Sequence, residues 1–401
     1  MKNVILCRLY QLAIYIGEFL MPWREPVLIK GKGSFNNLPT KIKEDGIDSV
    51  LIVTDKGLMG LKMLDGLFAS LDAEGVRYEL YDEVVPNPTV DNIEAALALY
   101  KKGNCSAIIA VGGGSPMDCA KGVGARVARP DKPLSKMGGI LKVMRKLPPL
   151  YAVPTTSGTG SETTLACVVT DPVTSHKYAI NDPSLIPYFA VLDPLLTAGL
   201  PKHITSTTGM DALCHATEAY LGWENVPSTK RNAKEAIVLI HDNLLKAYEN
   251  GQDLEARENM QKASYQAGLA FTRAYVGYVH AIAHSLGGKY HIAHGLANAV
   301  IMPYVFEAYG KKAHKKLAEL ADLIHLSQEG DSVSEKASRY IEWIRELNRK
   351  MNIPEDFDMI KEEDLDEMAG YAEKEGNPLY PVPKIMGKEE LKDIYKKLII
   401  R

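Results

Sequence analysis

Four short apolar runs in the first half of the chain restrict its possible folds more than any other feature. The runs are rich in β-branched side chains and cover residues 49–53, 106–111, 151–153 and 189–192. Continuous apolar runs of this length are typical of strands that are buried on both faces of a parallel sheet. Helix-like stretches lie between them at residues 90–102 and 116–127. The alternation of strand and helix predicts a doubly wound α/β domain.

The pattern changes after Leu200 and Pro201, and no convincing strand follows. Apolar residues recur there with a helical period, in segments at 210–221, 230–249, 254–274, 312–326, 333–351 and 388–398. We therefore predict an α/β domain over residues 1–200 and an all-helical domain over residues 201–401. The length agrees, because 401 residues correspond to two or three domains of roughly 100–200 residues each.

Composition and charge exclude several classes of protein. Hydrophobic residues make up 46% of the chain and the formal net charge is −3, which argues against a disordered chain and against a nucleic-acid-binding surface. The chain has five cysteines and no CxxC pair. A disulfide framework or a cysteine-based zinc site is therefore not expected, and a reducing cytoplasm is the predicted compartment.

Residues 1–20 form an apolar segment that needs a separate interpretation. Arg8 and Glu18 interrupt it, so it lacks the uncharged run of about 18 residues that a transmembrane helix requires. It also lacks the uninterrupted apolar region and the cleavage site of a signal peptide. We predict a helical extension that docks on the protein, with a membrane-surface or partner-binding helix as the alternative.

A glycine-rich turn follows the most strand-like of the apolar runs. Gly112, Gly113 and Gly114 precede Ser115 and Pro116 at the predicted start of a helix. Glycines let a backbone approach an anion closely, and a helix start offers free N–H groups and a positive dipole end. The turn is compatible with phosphate binding, but also with a plain tight turn. The G-x-G-x-x-G fingerprint of dinucleotide-binding folds is absent.

A second loop, residues 154–162, follows another predicted strand and carries five hydroxyl side chains and two glycines. Hydroxyls and backbone N–H groups together bind phosphate oxygens without positive charge. Two such loops at the carboxyl ends of strands in one sheet predict a pyrophosphate site. Asp55 follows the strand at 49–53 and is suited to accept hydrogen bonds from a ribose 2′-hydroxyl. Its alternative role is that of a helix N-cap.

Histidines with helical spacing mark the second half of the chain. Asp211 and His215 are four residues apart, as are His280 and His284, so each pair lies on one face of a helix. Further histidines follow at positions 291 and 294, after a glycine pair that weakens the helix. This spacing predicts a divalent metal site rather than isolated core histidines. A carboxylate with imidazoles suits Fe²⁺ or Zn²⁺, and also Co²⁺, Ni²⁺ or Mn²⁺, so ligand type alone does not select the ion.

Together these motifs resemble those of the iron-containing (group III) alcohol dehydrogenase family, which includes lactaldehyde reductase and propanediol and butanol dehydrogenases. The most specific matches are residues 111–118, 154–162, 209–220 and 280–298, and the resemblance covers about residues 20–385. It implies an α/β dinucleotide-binding domain with a parallel sheet and an all-α metal-binding domain, the dehydroquinate synthase-like architecture. Residues 1–20 lie outside the shared core.

The resemblance also implies roles for individual residues. The implied metal ligands are Asp211, His215, His280 and His294. His284 would lie near the nicotinamide, as the candidate proton donor and catalytic residue. The implied cofactor contacts are Asp55, Asn87, Gly113, Gly114, Ser115, Pro116, Asp118, Thr155, Thr156, Thr159, Lys177 and His284. Asp55 implies NAD(H) rather than NADP(H), because relatives that accept NADP often have a smaller residue there.

We therefore expect a metal-dependent, NAD(H)-linked oxidoreductase that interconverts small primary alcohols or diols with aldehydes by hydride transfer. Fe²⁺ is the family's usual ion, and Zn²⁺ often occupies the same ligands. The expected enzyme is cytoplasmic and a homodimer or larger homo-oligomer. Its expected partner is a small alcohol or aldehyde substrate, with no nucleic acid and no firm membrane partner.

Three other functions are also compatible with these motifs. One is a zinc-dependent polyol dehydrogenase of the glycerol type, and another is an NAD-dependent sugar-phosphate cyclase, which is a lyase. The third is a non-enzymatic protein that senses a metal or a nucleotide. A phosphate substrate would require clustered Lys and Arg near the metal, and Lys289 alone lies among the histidine motifs, which disfavours the cyclase.

Overall fold

A computed structural model describes residues 4–18, 21, 23–172, 177–223 and 225–399. Contacts divide the chain into two compact units. One unit is Pro22–Gly199, and the other combines Met1–Met21 with Leu200–Arg401. Among the described residues, none of the helices combines the length and the apolar character needed to cross a membrane.

The first unit contains the strands of the fold. They are β1 (Val27–Lys30), β2 (Ser49–Val53), β3 (Arg77–Tyr81), β4 (Ala107–Gly112), β5 (Gly139–Ile140), β6 (Leu150–Pro154), β7 (Ala166–Thr170), β8 (Lys177–Asn181) and β9 (Phe189–Leu192). Six of them form a sheet in the order β1-β9-β6-β4-β2-β3, and every pair in it is parallel. A smaller sheet has the order β5-β8-β7. The predicted α/β fold with a parallel sheet is confirmed.

Helices accompany this sheet at α2 (Leu38–Glu44), α3 (Lys56–Gly60), α4 (Asp65–Ala73), α5 (Val90–Lys102), α6 (Gly114–Ala128) and α7 (Leu195–Ala198). The central strands are buried on both faces, which explains their unbroken apolar sequence. Leu51 and Ile108 belong to one core cluster, whereas Val50 and Ile109 belong to the cluster on the opposite face. Because β2, β4 and β6 are neighbours and parallel, the loops that follow them meet at one edge of the sheet.

The second unit is helical, as predicted. Its helices are α8 (Lys202–Leu221), α9 (Pro227–Glu249), α10 (Leu254–Ala274), α11 (Tyr278–Tyr290), α12 (His294–Tyr309), α13 (Lys311–Leu323), α14 (Val333–Lys350), α15 (Leu365–Gly376) and α16 (Lys388–Lys397). Helix α8 is central and buried on nearly all sides. Gly209 permits this packing, because a Cβ atom there would lie 2.3 Å from Leu244 Cδ1 on α9.

The N-terminal extension forms helix α1 (Val4–Glu18), and it docks as predicted, but on the helical unit. Arg8 donates a hydrogen bond of 3.0 Å to the carbonyl oxygen of Pro383. Gln11 donates hydrogen bonds of 2.7 Å to Tyr380 O and 3.0 Å to Pro378 O. The domain prediction counted residues 1–20 with the α/β part, whereas these contacts group the described part of the extension with the helices.

One local expectation differs from the structure. The sequence predicts that the glycine pair at 287 and 288 weakens the helix, but α11 continues through both residues to Tyr290. The helix ends instead at His291, which adopts a left-handed conformation with φ of 57°. The turn after α11 therefore comes immediately before His294, the first residue of α12.

Candidate metal centre

Three helices of the second unit bring one carboxylate and three imidazoles together. Asp211 and His215 project from one face of α8, His280 from the first turn of α11, and His294 from the first residue of α12. One potential ligand atom from each of the four lies within 4.8 Å of those of the others. This donor set fits a divalent transition-metal ion, for which imidazole and carboxylate are suitable ligands.

The cluster is buried on one side and open on the other. Asp211 and His280 are each 2% exposed and His215 is 5% exposed, whereas 42% of the His294 side chain is exposed. The His215 ring stacks on the Phe271 ring, with ring centroids 4.1 Å apart and an angle of 13° between the rings. The arrangement leaves the His294 side as the accessible approach to the ligand atoms.

Gly295 explains how α12 comes close enough to α8. A Cβ atom at this position would lie 2.4 Å from the carbonyl oxygen of Thr207 and 3.4 Å from Asp211 Cβ. Any larger residue would push the start of α12 away from α8, because the backbone of Thr207 cannot shift without moving its helix. Glycine therefore sets the distance between His294 and Asp211, whose Nε2 and Oδ1 atoms are 3.6 Å apart.

Glu218 orients one of the candidate ligands. Its Oε2 atom lies 2.6 Å from His280 Nδ1 and accepts a hydrogen bond of 2.8 Å from the Gly277 backbone N–H. Its Oε1 atom accepts one of 2.9 Å from the Val279 N–H. A carboxylate at Nδ1 favours the tautomer with a proton on that nitrogen, which leaves the Nε2 lone pair for a metal ion.

Burial sets the protonation of this pair. It raises the pKa of Glu218 to about 7, against the lowering effect of hydrogen bonds from Gly277, Val279 and His280. Burial also lowers the pKa of His280 well below its ordinary value, and the neighbouring imidazoles act in the same direction. His280 is therefore neutral near pH 7, the state in which an imidazole binds a metal ion.

Asn298 contacts three of the four candidate ligands. Its Nδ2 atom donates a hydrogen bond of 2.7 Å to Asp211 Oδ1 and lies 3.2 Å from both His280 Nε2 and His294 Nε2. The residue is fully buried. A hydrogen-bonded partner of this kind holds a carboxylate ligand in one orientation.

Sequence reasoning did not single out Glu218 or Asn298, although a signal was present for both. Glu218 lies seven residues after Asp211 and Asn298 lies four residues after His294. Residues at these spacings share one helical face. Helical spacing therefore places both residues on the face of a candidate ligand, whereas the partners that they contact depend on how the helices pack.

His284 lies beside the four-residue cluster rather than in it. Its ring stacks on that of His294, with centroids 5.2 Å apart and an angle of 18° between the rings. Its Nδ1 atom lies 2.7 Å from Glu375 Oε1, which also accepts a hydrogen bond of 2.8 Å from the Tyr380 hydroxyl. Burial raises the pKa of Glu375, but His284 and Tyr380 outweigh this effect, so the pKa is below its ordinary value.

The two predicted phosphate loops lie against each other in the first unit. Gly112 adopts φ of 149°, and a Cβ atom there would lie 2.5 Å from Pro116 Cγ, so this position requires glycine. The Gly112 carbonyl oxygen accepts a hydrogen bond of 3.1 Å from the Thr155 N–H. Cβ atoms added at Gly113 and Gly114 would lie 3.5 Å from Thr156 Oγ1 and 3.4 Å from Thr159 Cγ2.

These loops offer several unused hydrogen-bonding groups. Gly113 is the N-cap residue of α6 and provides no side-chain cap, so the first N–H groups of that helix have no capping side chain. The hydroxyl oxygens of Thr156 and Ser157 are buried and have no hydrogen-bond partner among the residues that the structure describes. Buried polar groups are normally hydrogen-bonded, and these orphaned groups beside a helix N-terminus fit the phosphate of a dinucleotide.

The structure places the remaining predicted cofactor contacts in different settings. Ser115 Oγ accepts a hydrogen bond of 3.2 Å from the Asn87 N–H, so these two residues meet at the loop. Lys177 is exposed at the start of β8. Asp118 is half-buried. Burial raises its pKa to about 7, while Lys121, the Val168 backbone and Ser161 lower it.

Asp55 is a helix N-cap, which is the alternative role that the sequence indicates for it. Its Oδ1 atom accepts a hydrogen bond of 3.0 Å from the Leu58 N–H and caps α3. Capping occupies one carboxylate oxygen. The residue follows β2 at the same edge of the sheet as the two phosphate loops, so the N-cap role and a cofactor role are compatible.

Comparison with known proteins decides the family. A family model described as "Iron-containing alcohol dehydrogenase" matches residues 26–194, and one described as "Fe-containing alcohol dehydrogenase family, C-terminal" matches residues 205–399. The chain belongs to the iron-containing alcohol dehydrogenase family. The resemblance inferred from the motifs is thereby confirmed.

Individual relatives of this iron-type alcohol dehydrogenase match it over most of its length. A 1,3-propanediol dehydrogenase from Klebsiella pneumoniae is 40% identical over 355 residues, which cover 88% of this chain and 91% of the relative. An NAD-dependent methanol dehydrogenase from Bacillus methanolicus is 35% identical over 356 residues, covering 88% and 92%. A crystal structure of a 1,3-propanediol oxidoreductase superimposes with a TM-score of 0.90 at 37% identity, covering 94% of this chain and 99% of the other.

These matches also settle the class of reaction. The protein is an alcohol or diol oxidoreductase of the iron type. The glycerol-type polyol dehydrogenase and the sugar-phosphate cyclase are not favoured by the matches.

Proposed function

We propose that this alcohol dehydrogenase is NAD(H)-linked and interconverts small primary alcohols or diols with aldehydes at a divalent metal ion held by Asp211, His215, His280 and His294. The observation that carries the proposal is the convergence of these four side chains within 4.8 Å, with His280 oriented by Glu218. The names of the propanediol and methanol dehydrogenase relatives support a short alcohol or diol as substrate.

The chain's residues prepare the metal position before substrate arrives. Glu218 holds the Nε2 atom of His280 toward the cluster, and Asn298 holds Asp211. When bound, a divalent ion supplies Lewis acidity toward the oxygen of the alcohol or aldehyde. Burial of Asp211 and His280 excludes water from one side of the ligands, so the exposed His294 side is the proposed substrate approach.

We assign proton transfer to His284. Glu375 accepts a hydrogen bond at Nδ1, which leaves Nε2 as the atom that gives a proton to the product alkoxide or takes one from the alcohol. The side chain is 46% exposed, so its proton exchanges with solvent. Its stacking on His294 keeps the ring next to the proposed metal ligands.

We assign the dinucleotide to the loops of the α/β unit. A nicotinamide cofactor supplies or accepts the hydride. The start of α6 and the unpartnered hydroxyls of Thr156 and Ser157 are the proposed phosphate contacts. The second carboxylate oxygen of Asp55 is proposed to accept the ribose hydroxyl, and its charge repels a 2′-phosphate, so we propose NAD(H) over NADP(H).

A turnover assay with defined metal loading tests the proposal. The protein is purified anaerobically, stripped with a chelator and reloaded separately with Fe²⁺, Zn²⁺, Co²⁺, Ni²⁺ or Mn²⁺. NADH oxidation is then followed with short aldehydes, 3-hydroxypropanal and lactaldehyde, and NAD⁺ reduction with methanol, ethanol and 1,3-propanediol. We expect turnover that requires both the ion and NAD(H). Absence of turnover across the whole panel with the metal-loaded protein would contradict the proposal.

A further inference from the structure

A lysine is buried behind the two phosphate loops. Lys121 lies on α6, two helical turns after the glycine turn, and it is fully buried. Burying an ammonium group is strongly unfavourable unless its hydrogen bonds and its charge are satisfied. A fully buried lysine therefore indicates that the N–H donors of its ammonium group have a specific role at this position.

Within the described ranges, the hydrogen bonds of this ammonium group all go to one short segment. Its Nζ atom donates to Ser161 Oγ at 3.1 Å, to Thr164 Oγ1 at 2.8 Å, to Thr164 O at 3.0 Å and to Ala166 O at 2.9 Å. An ammonium group has three protons, so these four acceptors engage it completely. The segment begins at the end of the hydroxyl-rich loop and leads into β7.

The two loops are therefore tied together at two places. On one side Thr155 donates its N–H to the Gly112 carbonyl oxygen. Thr156 and Thr159 lie next to this hydrogen bond, where their side chains would contact a Cβ atom added at Gly113 or Gly114. On the other side Lys121 joins the body of α6 to residues 161–166. The stretch between these ties, residues 156–160, contains the unpartnered hydroxyls of Thr156 and Ser157.

Two carboxyl groups act on the charge of Lys121. Burial lowers the pKa of the Lys121 ammonium group, and Asp118 and Glu162 act in the opposite direction. Glu162 is 1% exposed, and no other residue that the structure describes forms a hydrogen bond with its carboxylate oxygens. The charge of Lys121 lowers the pKa of both Asp118 and Glu162, against the larger raising effect of burial.

We propose that Lys121 is a positioning residue for the dinucleotide: its buried ammonium group holds residues 161–166 against α6 and so keeps the Thr156 and Ser157 hydroxyls in place to bind phosphate. The proposal rests on the NAD(H)-linked function proposed above. Lys121 itself is not proposed to contact the cofactor. It acts through the loop whose end it fixes.

The test compares Lys121→Met with a matched surface variant. Methionine keeps the length of the side chain and removes every donor. Lys102→Met is the control, since Lys102 is a largely exposed lysine on α5 that pairs with Glu79 at 3.5 Å. Two quantities are measured: the Kd for NADH by fluorescence, and amide hydrogen exchange of the free protein over residues 154–166.

We expect Lys121→Met to weaken NADH binding by about tenfold or more, because charge-assisted hydrogen bonds are lost behind the loop. Amide exchange should accelerate over residues 154–166 while the strands of the sheet stay protected. The KM for NADH should rise with kcat and metal content within about twofold of the wild type. A purely structural role would not produce this separation of KM from kcat. Lys102→Met should match the wild type.

A second variant covers the case in which Lys121→Met does not fold. Thr164→Val removes one of the four acceptors and keeps the side-chain shape, so it should shift the Kd and the exchange rates in the same direction by a smaller factor. Unchanged NADH binding and unchanged amide exchange in the folded variant would overturn the proposed role of Lys121. The proposed NAD(H)-linked function would stand. A wild type that binds no NAD(H) would overturn the proposed function and this inference with it.

Discussion

Glu218 Oε2 lies 2.6 Å from His280 Nδ1, and both groups are almost completely buried. The carboxylate also accepts the backbone N–H groups of Gly277 and Val279, so it fixes the start of α11 together with the ring. Gly277 must be glycine for this contact, because a Cβ atom there would lie 2.5 Å from Glu218 Oε1. One carboxylate therefore sets both the position and the tautomer of a proposed metal ligand.

Replacing this carboxylate should weaken metal binding without removing any ligand. Glu218→Gln keeps the shape but offers a neutral acceptor to His280 Nδ1, so the imidazole becomes a weaker and less oriented ligand. We expect metal affinity to fall by roughly 10–100-fold, measured by competition with a chelator. Glu342→Gln, at an exposed glutamate that pairs with Arg349, should not change the affinity. Equal affinities for Glu218→Gln and the wild type would show that the contact does not tune the metal.

His284 is predicted to serve the chemistry rather than the metal. His284→Ala removes the proposed proton carrier beside His294 but none of the four clustered ligands. We expect kcat to fall by roughly 100-fold or more, with the metal content of the wild type. His203→Ala, at an exposed histidine on α8, is the control. Loss of the metal from His284→Ala would instead make His284 a ligand.

Asp55→Asn separates the two roles of Asp55. Asparagine is as good an N-cap as aspartate, so the hydrogen bond from the Leu58 N–H and the melting temperature should be retained. The negative charge is lost, so we expect NADPH to bind more tightly and NADH less tightly, shifting the ratio of their Kd values by about tenfold or more. An unchanged ratio would show that Asp55 does not select the cofactor.

The buried carboxyl of Glu162 should make stability depend on pH. Burial raises its pKa from 4.5 to about 7, so the folded protein holds the proton more tightly than the unfolded chain does. The free energy of unfolding should therefore fall as pH rises from about 4.5 to about 7. Asp118, with a pKa raised to about 7, contributes in the same direction.

Glu162→Gln tests this pH dependence. The variant keeps the neutral form at every pH, so the decrease in melting temperature between pH 5 and pH 8 should be smaller than in the wild type. Glu83→Gln, at an exposed glutamate that pairs with Lys56, should retain the wild-type slope. A Glu162→Gln protein with the wild-type slope would show that this carboxyl does not titrate in the folded state.

The sequence predicted the parts of the fold whose burial leaves a simple pattern. The central strands β4 and β6 are continuous apolar runs because they are buried on both faces. The edge strands β1 and β3 were not recognised, since their residues are largely exposed or half-buried. Helix α12 is buried nearly all round and contains Pro303, so it has no apolar stripe from which a helix could be inferred.

In the candidate site, too, some features have a local sequence pattern and others do not. Helical spacing predicted that Asp211 and His215 share a face, and the resemblance supplied the set of four ligands, which the structure brings together. The supporting contact of Glu218 joins α8 to Gly277 and His280, about 60 residues away in the chain. Contacts across such a separation depend on helix packing, which local sequence patterns do not encode. Lys121 was missed for the same reason, since its acceptors lie 40–45 residues away.

Metal analysis of anaerobically purified Asp211→Ala and His280→Ala proteins, beside the wild type, tests whether these residues hold a metal ion. The two residues belong to the helical unit, and the proposed dinucleotide loops belong to the α/β unit. We expect about one divalent ion per chain in the wild type, as in a site with a single set of four ligands. Each variant should retain almost no metal and should bind NADH as the wild type does. Retention of both metal and full activity by either variant would contradict the assignment of these four residues as the metal site.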